Sequence, residues 1–130
     1  MPLILVADDD DILVDLVSFR LESAGYQVIV AADGRQTLEL ARSAQPDAIV
    51  LDAMMPILTG IEVLRELRAD PVLADIPVMV LSARKGEDDI VATLQAGAQD
   101  YLTKPFIPQE LAVRVGMLLR SRPQSISRAL

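Results

Sequence analysis

Five side chains could do chemistry together if the fold lets them meet. Asp8 and Asp9 directly follow the apolar run Leu3-Ile4-Leu5-Val6-Ala7 and begin a string of four acids, Asp8 to Asp11. Asp52 ends the run Ala48-Ile49-Val50-Leu51, Ser82 follows Val78-Met79-Val80-Leu81, and Lys104 follows Asp100-Tyr101-Leu102-Thr103. Carboxylates held close together either raise each other's pKa or recruit a cation. Their ligand atoms are hard oxygens, which select Mg²⁺ or a similar ion over zinc or copper. One Lys cannot neutralise three acids, so a divalent ion completes the charge balance. A carboxylate, a hard cation, a hydroxyl and an ammonium suit phosphoryl transfer to a carboxylate oxygen. Each residue also has a plainer reading. Asp10 or Asp11 can cap a helix and complement its dipole, and Asp52 can cap a loop.

The elements between these residues decide whether they meet. From Ile12 to Ala24 the apolar positions Ile12, Leu13, Leu16, Val17, Leu21 and Ala24 predict a helix with a broad core-facing stripe, ended at Gly25. Gln27–Ala31 reads as a second strand. Asp33-Gly34-Arg35-Gln36 opens a helix running to about Ser43. The run to Asp52 is unbroken and apolar, as in a strand buried on both faces of a parallel sheet, and Pro56 prevents its continuation. Thr59-Gly60-Ile61-Glu62 is a capping box opening a helix with Ile61, Leu64 and Leu67 inward, ended at Asp70-Pro71. Pro77 precedes the fourth strand. A fourth helix spans about Glu87 to Ala96, with Ile90, Val91 and Leu94 apolar, and closes at Gly97. Asp100–Thr103 is the fifth strand. Pro108 suits the first turn of a fifth helix that runs to about Arg120.

Strand and helix thus alternate five times with short connections, which implies an α/β fold: a doubly wound, five-stranded parallel sheet with five helices, flavodoxin-like. In the order 2-1-3-4-5 the first and third strands are neighbours at the switch point, where such sheets place their ligands. All C-terminal strand ends then share one edge, so Asp8, Asp9 and Asp52 share a pocket flanked by Ser82 and Lys104. Residues 1–121 are expected to form one domain, and 122–130 a tail or the start of a linker.

Composition narrows the chemistry. The chain has 130 residues, 52% of them hydrophobic, which is enough for one cored domain. Formal charge is 12 − 19 = −7, against a nucleic-acid-binding surface. The chain contains neither Cys nor His, so thiolate chemistry, zinc built on Cys and any Ser-His or Cys-His relay are excluded. A phosphodonor must therefore act from outside the chain. No run approaches the length of a membrane span, and no basic leader precedes an apolar stretch, so a cytoplasmic setting is expected. Neither the dinucleotide Gly-x-Gly-x-x-Gly nor a P-loop occurs.

Order and spacing together resemble the receiver domain of response regulators in two-component signalling, over residues 3 to about 120. The matching stretches are Ile4–Asp10, Val50–Pro56 with Gly60, Leu81-Ser82-Ala83, and Gly97–Phe106. The resemblance implies roles. Asp52 would accept a phosphoryl group from a partner histidine kinase or histidine phosphotransfer protein. Asp9 would ligate Mg²⁺ directly and Asp8 mainly through water, with Asp52 and the Met54 backbone carbonyl as further ligands. Ser82 and Lys104 would contact the phosphoryl oxygens. Tyr101 would be an aromatic switch that moves inward as Ser82 is drawn to the phosphate, and the bond before Pro105 would be cis. The readout face would be the fourth helix, fifth strand and fifth helix. Such a domain catalyses only its own phosphotransfer and dephosphorylation and is no free-standing enzyme. It would signal to a downstream protein or to an output domain outside this chain, and a phosphorylation-dependent homodimer is among the assemblies it allows. Direct contact with nucleic acid or membrane is not expected. The competing readings are an unphosphorylated pseudo-receiver that acts as a scaffold, and a flavin protein or aspartate-based phosphatase on the same fold. Aromatic content of 3% and Met54 at the second position after Asp52 argue against the last two.

Departures from the family pattern are informative. Thr59 stands where an Asp is usual, and Ile107 where a polar cap usually precedes the Pro. Ile90, Ala92 and Thr93 stand where transcription-factor receivers often carry basic residues that pair across a dimer, which disfavours that dimer mode. Met54 and Arg84 would line the water route to the phosphate, and their bulk predicts slow self-dephosphorylation.

Overall fold

The computed structural model describes residues 1–121. The expected tail, 122–130, lies outside the described residues. The elements run β1 (Leu3–Ala7), α1 (Asp11–Ser23), β2 (Gln27–Ala31), α2 (Gly34–Ala44), β3 (Ala48–Asp52), α3 (Gly60–Ala69), β4 (Val78–Ser82), α4 (Glu87–Gln95), β5 (Asp100–Thr103) and α5 (Pro108–Ser121). The strands form one parallel sheet in the order β2-β1-β3-β4-β5. This is the doubly wound flavodoxin-like architecture.

Alternation along each strand splits the core in two. Leu5, Ala7, Ile49, Leu51, Val78 and Val80 face one side, where Leu38, Val63, Leu64 and Leu67 from α2 and α3 cover them. Ile4, Val6, Val50, Met79, Leu81 and Leu102 face the other, beneath Val17, Leu21, Leu111 and Val115 from α1 and α5. β3 and β4 are buried along their whole length, as central strands of a parallel sheet must be. Their apolar runs therefore stop at the point where the strand emerges at the rim.

Several helix starts follow local rules. The Asp33 side chain accepts the Gln36 N–H, while the Gln36 side chain bonds Ala32 N–H. Thr59 and Glu62 form a reciprocal capping box, and the Thr59 N–H holds the Glu62 carboxyl below its ordinary pKa. Inward residues differ from expectation in three helices. In α1 the buried residues are Val14, Val17 and Leu21, while Ile12 is 81% exposed, Leu16 50% and Ala24 lies on the surface. In α3, Val63 replaces Ile61 as a core residue, and Ile61 is half-buried. In α4 the buried residue is Thr93, and Val91 and Leu94 are exposed.

Candidate functional site

Register sets how far each strand reaches at the rim. Ala7 stands opposite Leu51, which brings Asp8 level with Asp52. Asp52 stands opposite Leu81, and Ser82 opposite Thr103, so Ser82 and Lys104 each project one residue further. The carboxylate oxygens of Asp8, Asp9 and Asp52 lie within 4.8 Å of one another. Lys104 Nζ sits 3.2 Å from Asp8 Oδ2 and 3.2 Å from Asp52 Oδ1. Asp8 and Asp52 are buried, whereas Asp9 is exposed.

Local structure explains these positions. Asp8 Oδ1 accepts the Asp10 N–H at 2.9 Å, which turns the chain sharply after β1. Asp10 then caps α1 by accepting the N–H groups of Ile12 and Leu13. The acid string thus divides its work, with Asp8 and Asp9 at the pocket and Asp10 at the helix. After β3 the chain must return to the start of α3. Gly60 makes this close: its N–H donates to the Ala53 carbonyl at 2.9 Å, and a Cβ there would lie 2.9 Å from Ala53 Cα. The loop between carries a backbone oddity that the sequence does not announce. Ile57 has φ +76°, and the Leu58 N–H bonds the Pro56 carbonyl around it. A β-branched residue rarely takes that conformation, and no residue type here signals it.

Electrostatics single out Asp52. Burial raises its carboxyl pKa and the charge on Asp8 raises it further, while Lys104 and the Met54 N–H only partly offset the rise. Burial works against the Lys104 charge too, but Asp52 and Asp8 outweigh it and hold the ammonium above its ordinary value. Three carboxylates, two of them buried, against one ammonium leave a surplus of negative charge. A hard divalent cation fits that donor set and that deficit.

Ser82 is buried, and its Oγ accepts the Arg84 N–H at 3.0 Å, which leaves its O–H free to donate. The Tyr101 ring packs against the core on the α3 side, and its O–H donates to the Arg84 carbonyl at 2.8 Å. Arg84 therefore connects Ser82 to Tyr101 through its backbone. The Met54 N–H donates to Asp52 Oδ1 at 3.3 Å, and the Met54 side chain is exposed. The Lys104–Pro105 peptide is cis. Asp8, Asp9, Asp52 and Lys104 are brought together at this rim, and Ser82 emerges beside them at the end of β4.

One surface beside the rim was not foreseen. Ile12, Leu16 and Phe19 repeat at i, i+4 and i+7 along α1, and all three are exposed, Phe19 by 70%. The stripe begins three residues after Asp9. Its sequence signal is excess: α1 carries more apolar residues than one buried face can absorb.

Comparison with known proteins agrees with this geometry. Residues 4–116 match the model of the response regulator receiver domain. The alkaline phosphatase synthesis transcriptional regulatory protein PhoP of Bacillus subtilis is 46% identical over 117 residues, which are 90% of this chain and 48% of that protein. The chain thus spans about half the length of the curated relatives it matches. Among solved structures, the Francisella response regulator 1452 receiver domain superposes with a TM-score of 0.88 at 39% identity, covering 92% of this chain and 98% of the other. The receiver domain of sensor histidine kinase PA1611 from Pseudomonas aeruginosa PAO1 does so with a TM-score of 0.85 at 34% identity, covering 92% and 98%. That structure is described with a magnesium ion coordinated in its active-site cleft.

Proposed function

The chain belongs to the response-regulator receiver family, and from that premise we propose that residues 1–121 form a phosphorylation-switched signalling unit with Asp52 as its phosphoacceptor. The observation that carries this reading is the triangle of Asp52, Asp8 and Lys104: a buried carboxylate whose charge is under-compensated, held 3.2 Å from an ammonium.

Each residue then has a task. Asp52 Oδ2, the oxygen not engaged by Lys104 or Met54, attacks phosphorus on a phosphohistidine of the donor. The new O–P bond forms as the P–N bond breaks, and the imidazole leaves and takes a proton from solvent. Asp9, Asp52 and the Met54 carbonyl would hold Mg²⁺, with Asp8 supporting it through water, and the ion would supply positive charge to the transferring phosphoryl group. Lys104 turns from the Asp52 carboxylate to a phosphoryl oxygen, and the Ser82 O–H donates to another. The added charge, close to two units, draws Ser82 toward Asp52. Arg84 and Tyr101 follow through their shared hydrogen bonds, which passes the change to α4, β5 and α5. The exposed Ile12-Leu16-Phe19 stripe begins three residues after Asp9 and offers the donor an apolar docking face beside the rim.

The test is direct. Incubation with Mg²⁺ and acetyl phosphate should add one phosphoryl group by intact mass, and beryllofluoride should shift the amide resonances of Ser82 and Tyr101. Asp52→Asn should abolish both responses. If wild-type protein shows neither, the chain acts as an unphosphorylated scaffold. Met54→Asn should speed decay of the phosphoprotein, and unchanged decay rejects Met54 as a barrier to water.

A further inference from the structure

Between the loop that follows Asp52 and the start of α4 lies a cavity of about 190 Å³. Its apolar walls include Ala53, Ile61 and Val80, and its hydroxyl groups come from Thr59, Ser82, Thr93 and Tyr101. Two charged residues border it, Arg84 and Asp89, and they face each other at 3.7 Å. Both side chains are largely exposed, so water meets most of their charge.

Size and lining select an occupant. An enclosed cavity of about 150 Å³ holds one benzene ring, so this pocket, which opens to solvent, has room for a single ring with a small substituent. The Ser82 O–H can donate, because its oxygen already accepts from Arg84 N–H. The Tyr101 oxygen can accept, because its proton is already given to the Arg84 carbonyl. Thr93 spends its hydroxyl proton on the Asp89 carbonyl. One ligand group that donates or accepts is therefore satisfied, and a charge is not.

We propose that this cavity binds a small neutral aromatic compound with one hydroxyl or ring N–H, of the phenol or indole class, and that its occupancy opposes phosphorylation of Asp52. The second half rests on the receiver reading. Ser82 borders both the cavity and the acidic pocket. When its hydroxyl is drawn toward a phosphoryl group, Arg84 and Tyr101 follow and the cavity walls close. A ring lodged there holds them apart. By linkage, phosphorylation must weaken ring binding by the same factor that the ring weakens phosphorylation equilibrium.

Indole is the probe, titrated into the full chain with Mg²⁺ present and followed through amide resonances. The expected result is saturable shifts centred on Ser82, Thr93 and Tyr101, with a dissociation constant of about 1 mM or tighter. Saturating beryllofluoride should weaken that affinity about fivefold. Ile61→Trp, which fills the cavity with its own ring, should abolish the shifts, and the smaller Ile61→Phe should reduce them. Asp52→Asn should bind indole as wild type does and lose the beryllofluoride effect. Absence of saturable shifts at these three amides, or shifts that persist in a folded Ile61→Trp protein, overturns the site. Equal indole affinity with and without beryllofluoride overturns the coupling. Failure of beryllofluoride to shift any resonance without indole is a different result, because it rejects the receiver reading and leaves the indole measurement to stand or fall alone.

Discussion

Two cations sit partly buried at opposite ends of the sheet, and they are satisfied in opposite ways. At the rim, Lys104 meets the carboxylates of Asp8 and Asp52. At the other end, the Arg68 guanidinium meets neutral dipoles. Its Nε and Nη2 donate to the Gly97 carbonyl at 3.1 and 2.8 Å, and Nη1 to the Ala74 and Ile76 carbonyls at 3.1 and 2.9 Å. Nη2 also donates to Gln99 Oε1 at 3.0 Å, and that oxygen accepts the Val78 N–H at 2.8 Å. Burial lowers the Arg68 pKa, with Asp75 pulling the other way. The guanidinium's three nitrogens are all engaged, so this end ties α3, the turn after α4 and the start of β4 together and offers nothing to a ligand. The rim holds more acid than base and offers a place for added charge. The two ends thus differ in what is left over: every Arg68 nitrogen has a neutral acceptor, whereas the rim keeps more acid than base.

Substitution should separate the two. Lys104→Met removes the ammonium that can follow charge onto the phosphoryl group, and should slow phosphoryl acceptance from acetyl phosphate by about 10²–10³-fold. Arg68→Met leaves three carbonyls short of a partner and should lower unfolding stability by about 2 kcal/mol in urea titration. Its acceptance rate should stay within about threefold of wild type, because the two sites share no side chain. If Arg68→Met slows acceptance as much as Lys104→Met does, the division between a bracing end and a reacting end is wrong.

The two ends were not equally legible in the sequence. The rim announces itself because β3 and β4 are apolar until they emerge, so Asp52 and Ser82 mark their own positions. Thr59 and Asp33 likewise mark helix starts by short-range rules. Arg68 gave no such sign. Its partners are mainly backbone carbonyls, which every residue carries, and an Arg in the last turn of a helix reads as a solvated charge. α1 misled for a different reason. With Ile12, Leu13, Val14, Leu16, Val17 and Phe19 apolar, its phase cannot be read from one stripe, and of the residues assigned inward those at 12, 16 and 24 are exposed. α4 misled because Thr93 turns its hydroxyl back to the Asp89 carbonyl and is buried, while Val91 and Leu94 remain exposed.

Gly97 sharpens the account of the bracing end. Its φ is +117°, and an added Cβ would lie 2.8 Å from Arg68 Nε and 2.9 Å from Arg68 Cγ. Gly97→Ala should therefore cost about 2 kcal/mol, part backbone strain and part displacement of the guanidinium. In an Arg68→Ala background, which removes Cγ, Cδ and Nε together, the second part disappears, and the cost should fall to about 1 kcal/mol. A double-mutant cycle in urea measures this. Equal costs in both backgrounds would show that Arg68 adjusts freely and does not fix the turn after α4.

The smallest expected effect lies in pH, and it distinguishes the ends by sign. Asp52 has a folded pKa raised above 3.8. Below 3.8 it is protonated folded or unfolded and contributes nothing. Between 3.8 and its folded value the unfolded chain ionises while the buried acid does not, so a destabilising contribution builds up and then stays. Asp52→Asn removes that contribution. Without divalent ions, its stability relative to wild type should rise with pH above about 4 and then level. Lys104 works the other way: its folded pKa lies above 10.5, so its contribution is present below 10.5 and is lost as pH climbs through the folded value. Asp52→Asn deprives Lys104 of one partner, and the alkaline loss should be shallower in the variant. Mg²⁺ at neutral pH should narrow the gap between the two proteins, because the ion stabilises the wild-type carboxylates and finds one carboxylate fewer in the variant. Arg68→Met alters no group that titrates in this range, so its stability deficit should stay level from about pH 4 to about pH 9. A deficit that tracks pH as Asp52→Asn does would mean that the two ends of the sheet are electrostatically joined.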